Sequence, residues 1–167
     1  MRRTWMTMSV CLAAAAVVAT AIPRLVGAEV AATKSSATDG IVKVGSVFGM
    51  AETIARLKAD IAAKGILFLS EIDQAKLAAS AGIKLNPSTL LVFGNPPLGT
   101  LFIAANPLSG LDWPVRLLVS EAADGTVWVA YTDFDWIAKR HGITTRDVEF
   151  RMASGVVASI TGSVTKK

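Results

Sequence analysis

A chain of 167 residues, 52% of them hydrophobic and 18% charged, is long enough for one domain with a real core. It has one cysteine, Cys11, and one histidine, His141, which excludes a disulfide framework and leaves too few soft ligands for a zinc or copper centre. Its formal charge of +4 is no sign of a nucleic-acid or acidic-membrane partner, because Arg2, Arg3 and Arg24 lie in a segment with the marks of a leader.

Arg2 and Arg3 precede Val10 to Ile22, a run made almost entirely of Ala, Val and Leu, and Val26-Gly27-Ala28 sets small residues before Glu29. Charge, then an apolar run, then small residues is the order of a signal peptide over 1–28, with cleavage after Ala28 or, at a second site, after Ala21. The run is shorter than the roughly 20 apolar residues a membrane span requires, and Pro23 and Arg24 end it, so cleavage is preferred to anchoring. The arginine pair only faintly resembles a twin-arginine signal, which favours the general secretory route. Cys11 has too short an apolar run before it for a lipoprotein. The product is expected outside the cytoplasm, periplasmic or secreted. Removing the leader reduces 17 basic residues to 14 against 13 acidic ones, a net charge of about +1. The mature chain is then free of thiols, with no cofactor or metal expected.

Glu29 to Gly40 is small, polar and aperiodic and reads as a flexible spacer. The domain is expected over 41–165. The β-branched residues Ile41, Val42, Val44 and Val47 predict a strand over 41–47. Met50, Ile54, Leu57 and Ile61 recur at helical spacing, with Gly65 as the stop. Ile66 to Leu69 reads as a short buried strand, and Asp73 as the N-cap of a helix over 74–81 closed by Gly82. After the Asn86-Pro87 turn, Thr89 to Phe93 is apolar at successive positions and predicts a strand covered on both faces. One of the prolines after Gly94 opens a helix running to about Asn106. Pro114–Glu121 and Thr126–Tyr131 form a hairpin around Asp124-Gly125. Asp133 caps a helix through Arg140 that ends at Gly142. A last helix starts at Thr145 with Val148, Met152, Val156 and Ile160 as its inner face, weakened by Gly155. The order β-α-β-α-β-α-β-β-α-α indicates an α+β domain with a single mixed, largely antiparallel sheet covered by helices.

Three segments carry a resemblance. The first is Leu67 to Asp73 with Ala75 and Ala79-Ser80-Ala81-Gly82. The second is Leu91-Val92-Phe93-Gly94-Asn95-Pro96 continuing to Gly99-Thr100. The third is Leu111 to Arg116 leading to Gly125, Val127, Val129 and Tyr131. In this order they resemble domain-of-unknown-function family 302, over about 48–140. The resemblance implies a compact α+β fold, frequent association as homodimers and no established activity. Members commonly carry a His after the residue aligned with Asp73, where this chain has Gln74, so any role of that His is not carried over.

The residues offer two candidate ligand contacts. Around Gly94, Asn95, Gly99 and Thr100, a strand end passes through a Gly-rich turn into a helix, which supplies free N–H groups for an anion. The structural reading is preferred: Gly94 and Asn95 shape the turn and Pro96-Pro97 start the helix. The P-loop lysine and the dinucleotide glycine spacing are both missing. Arg116 could clamp a carboxylate, but with Asp112 it reads first as a local salt bridge at the strand start. His141 reads as a helix C-terminal residue favoured by the dipole rather than as a catalytic base. Asp133 and Asp135 read as cap and first-turn charge. Trp113, Trp128 and Trp136 are core residues by default, with one at a subunit interface no surprise.

No catalytic or metal motif stands out. The expected function is therefore a non-catalytic ligand- or partner-binding module, taking a small anionic ligand near Gly94–Thr100 and acting as a homodimer. The alternative is a metal-independent lyase or hydrolase of a small anion, which requires Asn95, Asp112 and Arg116 to converge in a pocket.

Overall fold

A computed structural model describes residues 39–166. The predicted leader with Cys11, and the spacer up to residue 38, lie outside the described residues. Five strands, β1 (Ile41–Gly45), β2 (Leu67–Asp73), β3 (Ser88–Gly94), β4 (Val115–Glu121) and β5 (Val127–Thr132), form one sheet in the order β1-β5-β4-β3-β2. Every pairing is antiparallel. The helices are α1 (Met50–Ala63), α2 (Gln74–Ser80), α3 (Pro96–Ala105), α4 (Phe134–Arg140) and α5 (Asp147–Gly162), with a 3-10 turn at Pro107–Leu111. The fold is α+β, as the element order indicates.

Local signals place most boundaries. The carboxylates of Asp73 and Asp133 accept from Lys76 N–H at 2.8 Å and Trp136 N–H at 2.9 Å, capping α2 and α4. Gly125, at φ +82°, turns the β4–β5 hairpin in a backbone region that side chains disfavour. β1 is shorter than predicted. Past Gly45 the Val47 N–H leaves the sheet and bonds Val164 O at 3.0 Å, while Ser46 Oγ meets Thr53 Oγ1 at 2.7 Å.

One contiguous core lies on one side of the sheet. It joins Val42, Leu91, Phe93, Leu117, Val119, Val129 and Tyr131 from the strands to Leu57, Phe102, Ile137, Phe150, Val157 and Ile160 from the helices. Three sequence expectations are corrected here. The strand at Ile66–Leu69 is not buried: β2 runs on to Asp73 as an exposed edge, with Leu67 52% and Leu69 46% exposed and a register shift between Phe68 and Ser70. β3 is not covered on both faces, because its burial alternates, Thr89, Leu91 and Phe93 facing the core while Leu90 and Val92 stay half-buried. The α5 face is also different. Val148 and Met152 are more than half exposed, and Phe150, Ala153, Val157 and Ile160 turn inward. Steps of three and four residues follow the helix better than the uniform four-residue spacing of the predicted stripe, which drifts around the axis. Gly155 is accommodated and the helix continues to Gly162.

On the other face of the sheet the only buried strand residues among those described are the glycines Gly45 and Gly94. The strand register aligns Lys43, Ala130, Leu118, Leu90 and Ile72 in one row across all five strands, with Trp128 beside Ser120 in the next. Lys43 Nζ stands 4.1 Å over the Trp128 ring.

Candidate functional site

The chain between α3 and β4 builds the most polar buried contact among the described residues. Asn106 Oδ1 accepts from Leu108 N–H at 3.0 Å and starts the 3-10 turn, and its Nδ2 donates to His141 O at 2.8 Å. The turn delivers Asp112, whose side chain is only 5% exposed, against the end of α4. There Asp112 Oδ2 lies 2.6 Å from His141 Nε2, with the imidazole equally buried. Arg140 Nη1 reaches both carboxylate oxygens, at 3.2 and 3.1 Å. Arg116 Nη2 donates to Leu111 O at 2.7 Å and approaches Asp112 Oδ1 at 3.5 Å.

One buried carboxylate therefore faces two guanidiniums, each close to half exposed. Asp112 is shielded and the arginines are not, so the surplus charge shown to solvent is positive. Next to this cluster is a depression of about 10 Å³ lined by Asp112, Val115, Arg116, Thr132, Phe134 and Ile137. That is close to the smallest space that holds one water. A second, apolar crevice of about 40 Å³ lies between β3, α3 and α5, with Phe93, Leu98, Phe102, Trp113 and Val156 in its walls. Val115 and Phe134 line both.

All the sequence candidates but Thr100 divide between these two depressions. Gly94, Asn95 and Gly99 line the apolar crevice beside Trp113. A Cβ on Gly99 would overlap the Trp113 indole, so this glycine is what admits the ring. Asn95 acts as the N-cap of α3, its Oδ1 accepting from Leu98 N–H at 3.3 Å. Thr100 lines neither depression and donates to Pro96 O at 2.7 Å. Asp112 and Arg116 belong to the polar cluster. Their mutual contact is the longest of the three that Asp112 makes with basic side chains, so the local salt bridge read from sequence is the minor one. His141 is the C-cap of α4, at the helix C-terminus as expected, but its ring is turned inward onto Asp112. Arg140 and the Asp112–His141 contact were missed, since nothing in the local sequence links positions so far apart.

Two groups elsewhere titrate away from their ordinary ranges. Thr126, through its backbone N–H and its hydroxyl, holds the Asp124 carboxyl below the usual aspartate range. Burial pushes Tyr131 upward, helped by the charge of Asp133 and opposed by a hydrogen bond with Thr161.

The model of the family described as domain of unknown function DUF302 matches residues 42–160. The chain belongs to the DUF302 family. A crystal structure of an uncharacterised DUF302 protein from Bacillus stearothermophilus superposes with a TM-score of 0.69 at 19% identity, covering 75% of this chain and 98% of that one. At that identity the likeness shows the fold alone. Two curated relatives are each 37% identical over 129 residues, 76% of this chain. One is named fluoride-specific ion channel FluC 1, from Brucella suis biovar 1, and the other fluoride-specific ion channel FluC 2, from Brucella melitensis. The match takes in 49% and 46% of these relatives, so this DUF302 chain spans about half their length.

Proposed function

We propose that this DUF302 domain is a non-catalytic binding module for a small anionic ligand, held where Arg116 and Arg140 flank Asp112. The observation that carries the reading is the placement of two half-exposed guanidiniums on one buried carboxylate. Asp112 holds one Nη of Arg140, and Leu111 O with Asp112 holds one Nη of Arg116, while Nε and the other Nη of each make no hydrogen bond among the described residues. Guanidiniums already oriented in this way lose little freedom on meeting an anion, which favours bidentate capture. The relatives named as fluoride channels fit a small anion and supply a probe. A channel must carry membrane-crossing segments, and no described helix of this chain is long and apolar enough to be one. In this reading the shared stretch is the part of those proteins outside the bilayer, and the present domain is exported after loss of its leader. A second copy covers the open sheet face around Leu90, Val92, Leu118 and Trp128.

The test is a titration of the purified chain with fluoride, chloride and acetate, followed by the arginine Nε–H signals in nitrogen-correlated NMR. Saturable shifts at Arg116 and Arg140, abolished in Arg140→Gln, support the module. Silence of both signals with all three anions ends it. The buried Asp112–His141 pair is the one observation favouring the alternative, a lyase or hydrolase of a small anion. New product signals during incubation with organic anions would put that reading first.

A further inference from the structure

Helix α1 provides an internal comparison for charges elsewhere in the fold. It carries two acid–base pairs four residues apart, and both close: Glu52 with Arg56 at 2.8 Å and Asp60 with Lys64 at 2.6 Å. Helices α4 and α5 carry two pairs of the same spacing and polarity, Asp135 with Lys139 and Asp147 with Arg151. These stay open, and none of the four charges is in an ion pair among the described residues. All four line one groove of about 690 Å³ between α4 and α5. Its volume falls in the range of about 300–1,000 Å³ typical of small-molecule sites. Phe150, 2% exposed, and Ile143, 6% exposed, form apolar parts of its lining. Each wall thus presents one carboxylate and one cation above an apolar base, with no net charge in the rim.

We propose that this groove is a binding site for a small zwitterion, of the amino-acid or short-peptide class, distinct from the arginine corner. An ammonium group meets Asp135 or Asp147, a carboxylate meets Lys139 or Arg151, and an apolar side chain lies against Ala138, the half-buried apolar residue of the lining. A net-neutral rim with both signs on both walls discriminates against simple anions and simple cations. Each of those meets as many like charges as opposite ones.

The experiment titrates the dipeptide leucylglycine into the nitrogen-15-labelled chain, alongside its N-acetylated and C-amidated derivatives. The expected result is saturable amide shifts centred on Gly142–Thr144 and the facing turns of α4 and α5. Each derivative, lacking one charge, binds about tenfold more weakly. The Lys139→Ala/Arg151→Ala double variant keeps its dispersed spectrum and loses the shifts. Absence of saturable shifts at the groove overturns the proposal. So does equal affinity for the derivatives, or binding that survives in the double variant. Arg116 and Arg140 stay unperturbed throughout, so failure here leaves the anion reading untouched.

Discussion

His141 Nε2 and Asp112 Oδ2 meet at 2.6 Å across 29 residues of chain, both side chains 5% exposed. With the bond from Asn106 Nδ2 to His141 O, the contact ties the end of α4 to the turn that leads into β4. The two arginines are therefore anchored to a part of the fold whose removal exposes uncompensated charge.

Asp112→Ala should be strongly destabilising, because it leaves the buried imidazole and the Arg140 guanidinium without their acceptor, while Arg116 keeps only Leu111 O. Loss of one partner of a buried pair costs about 3–5 kcal/mol, and the half-exposed arginines place this case at the lower end. Urea unfolding followed by tryptophan fluorescence reads the change. A midpoint equal to that of the parent chain would show the cluster to be mechanically idle.

Two glycine substitutions should have opposite signs. Gly99→Ala drives a methyl into the Trp113 indole and should destabilise by about 1–3 kcal/mol. Gly155→Ala, in α5 with no atom beyond its chain neighbours and the helix's own backbone within 4 Å of the added carbon, should stabilise by about 0.5–1 kcal/mol. Thermal melts of the pair check both at once, and a stabilised Gly99→Ala would contradict the packing described.

The pH dependence has two limbs. Asp124 is held below its ordinary range when folded, so its contribution is present above the unfolded aspartate range and is lost as pH falls through the lower folded value. Tyr131 is raised when folded, so its contribution is full below the ordinary tyrosine range and is lost as pH rises through the higher folded value. Tyr131 is the chain's only tyrosine, so tyrosinate absorbance follows it alone. Native protein should ionise at higher pH than urea-unfolded protein, and Tyr131→Phe should flatten the alkaline loss of stability. Coincident titration curves would refute the shift.

The open sheet face should behave as an interface. Leu118 lies in the middle of the row from Lys43 to Ile72 and is half-buried, so Leu118→Asp should leave the fold's thermal stability within about 1 kcal/mol at monomer concentration. The same substitution places a charge in the apolar centre of a face-to-face dimer and should convert dimer to monomer in light scattering. A parent chain that is monomeric at high concentration, or a variant that still dimerises, would remove this face from the association.

Sequence by itself determined what depends on neighbours in the chain. Asp73 and Asp133 are found capping α2 and α4, Asn95 opens α3, and Asp124-Gly125 turns the hairpin, because each bond closes within three residues or each turn needs one backbone angle. The DUF302 resemblance likewise rested on contiguous strings. Tertiary structure alone decided which side of an apolar segment is covered. Leu90 and Val92 are as hydrophobic as Leu91 and Phe93, yet only the second pair enters the buried core. It also chose between two plausible stripes on α5, and it selected Arg140 and His141, rather than Arg116 alone, as partners for Asp112. Burial and long-range ion pairing depend on which elements are brought together in space, and no spacing along the chain encodes a contact closed only by the sheet and the helices packed on it.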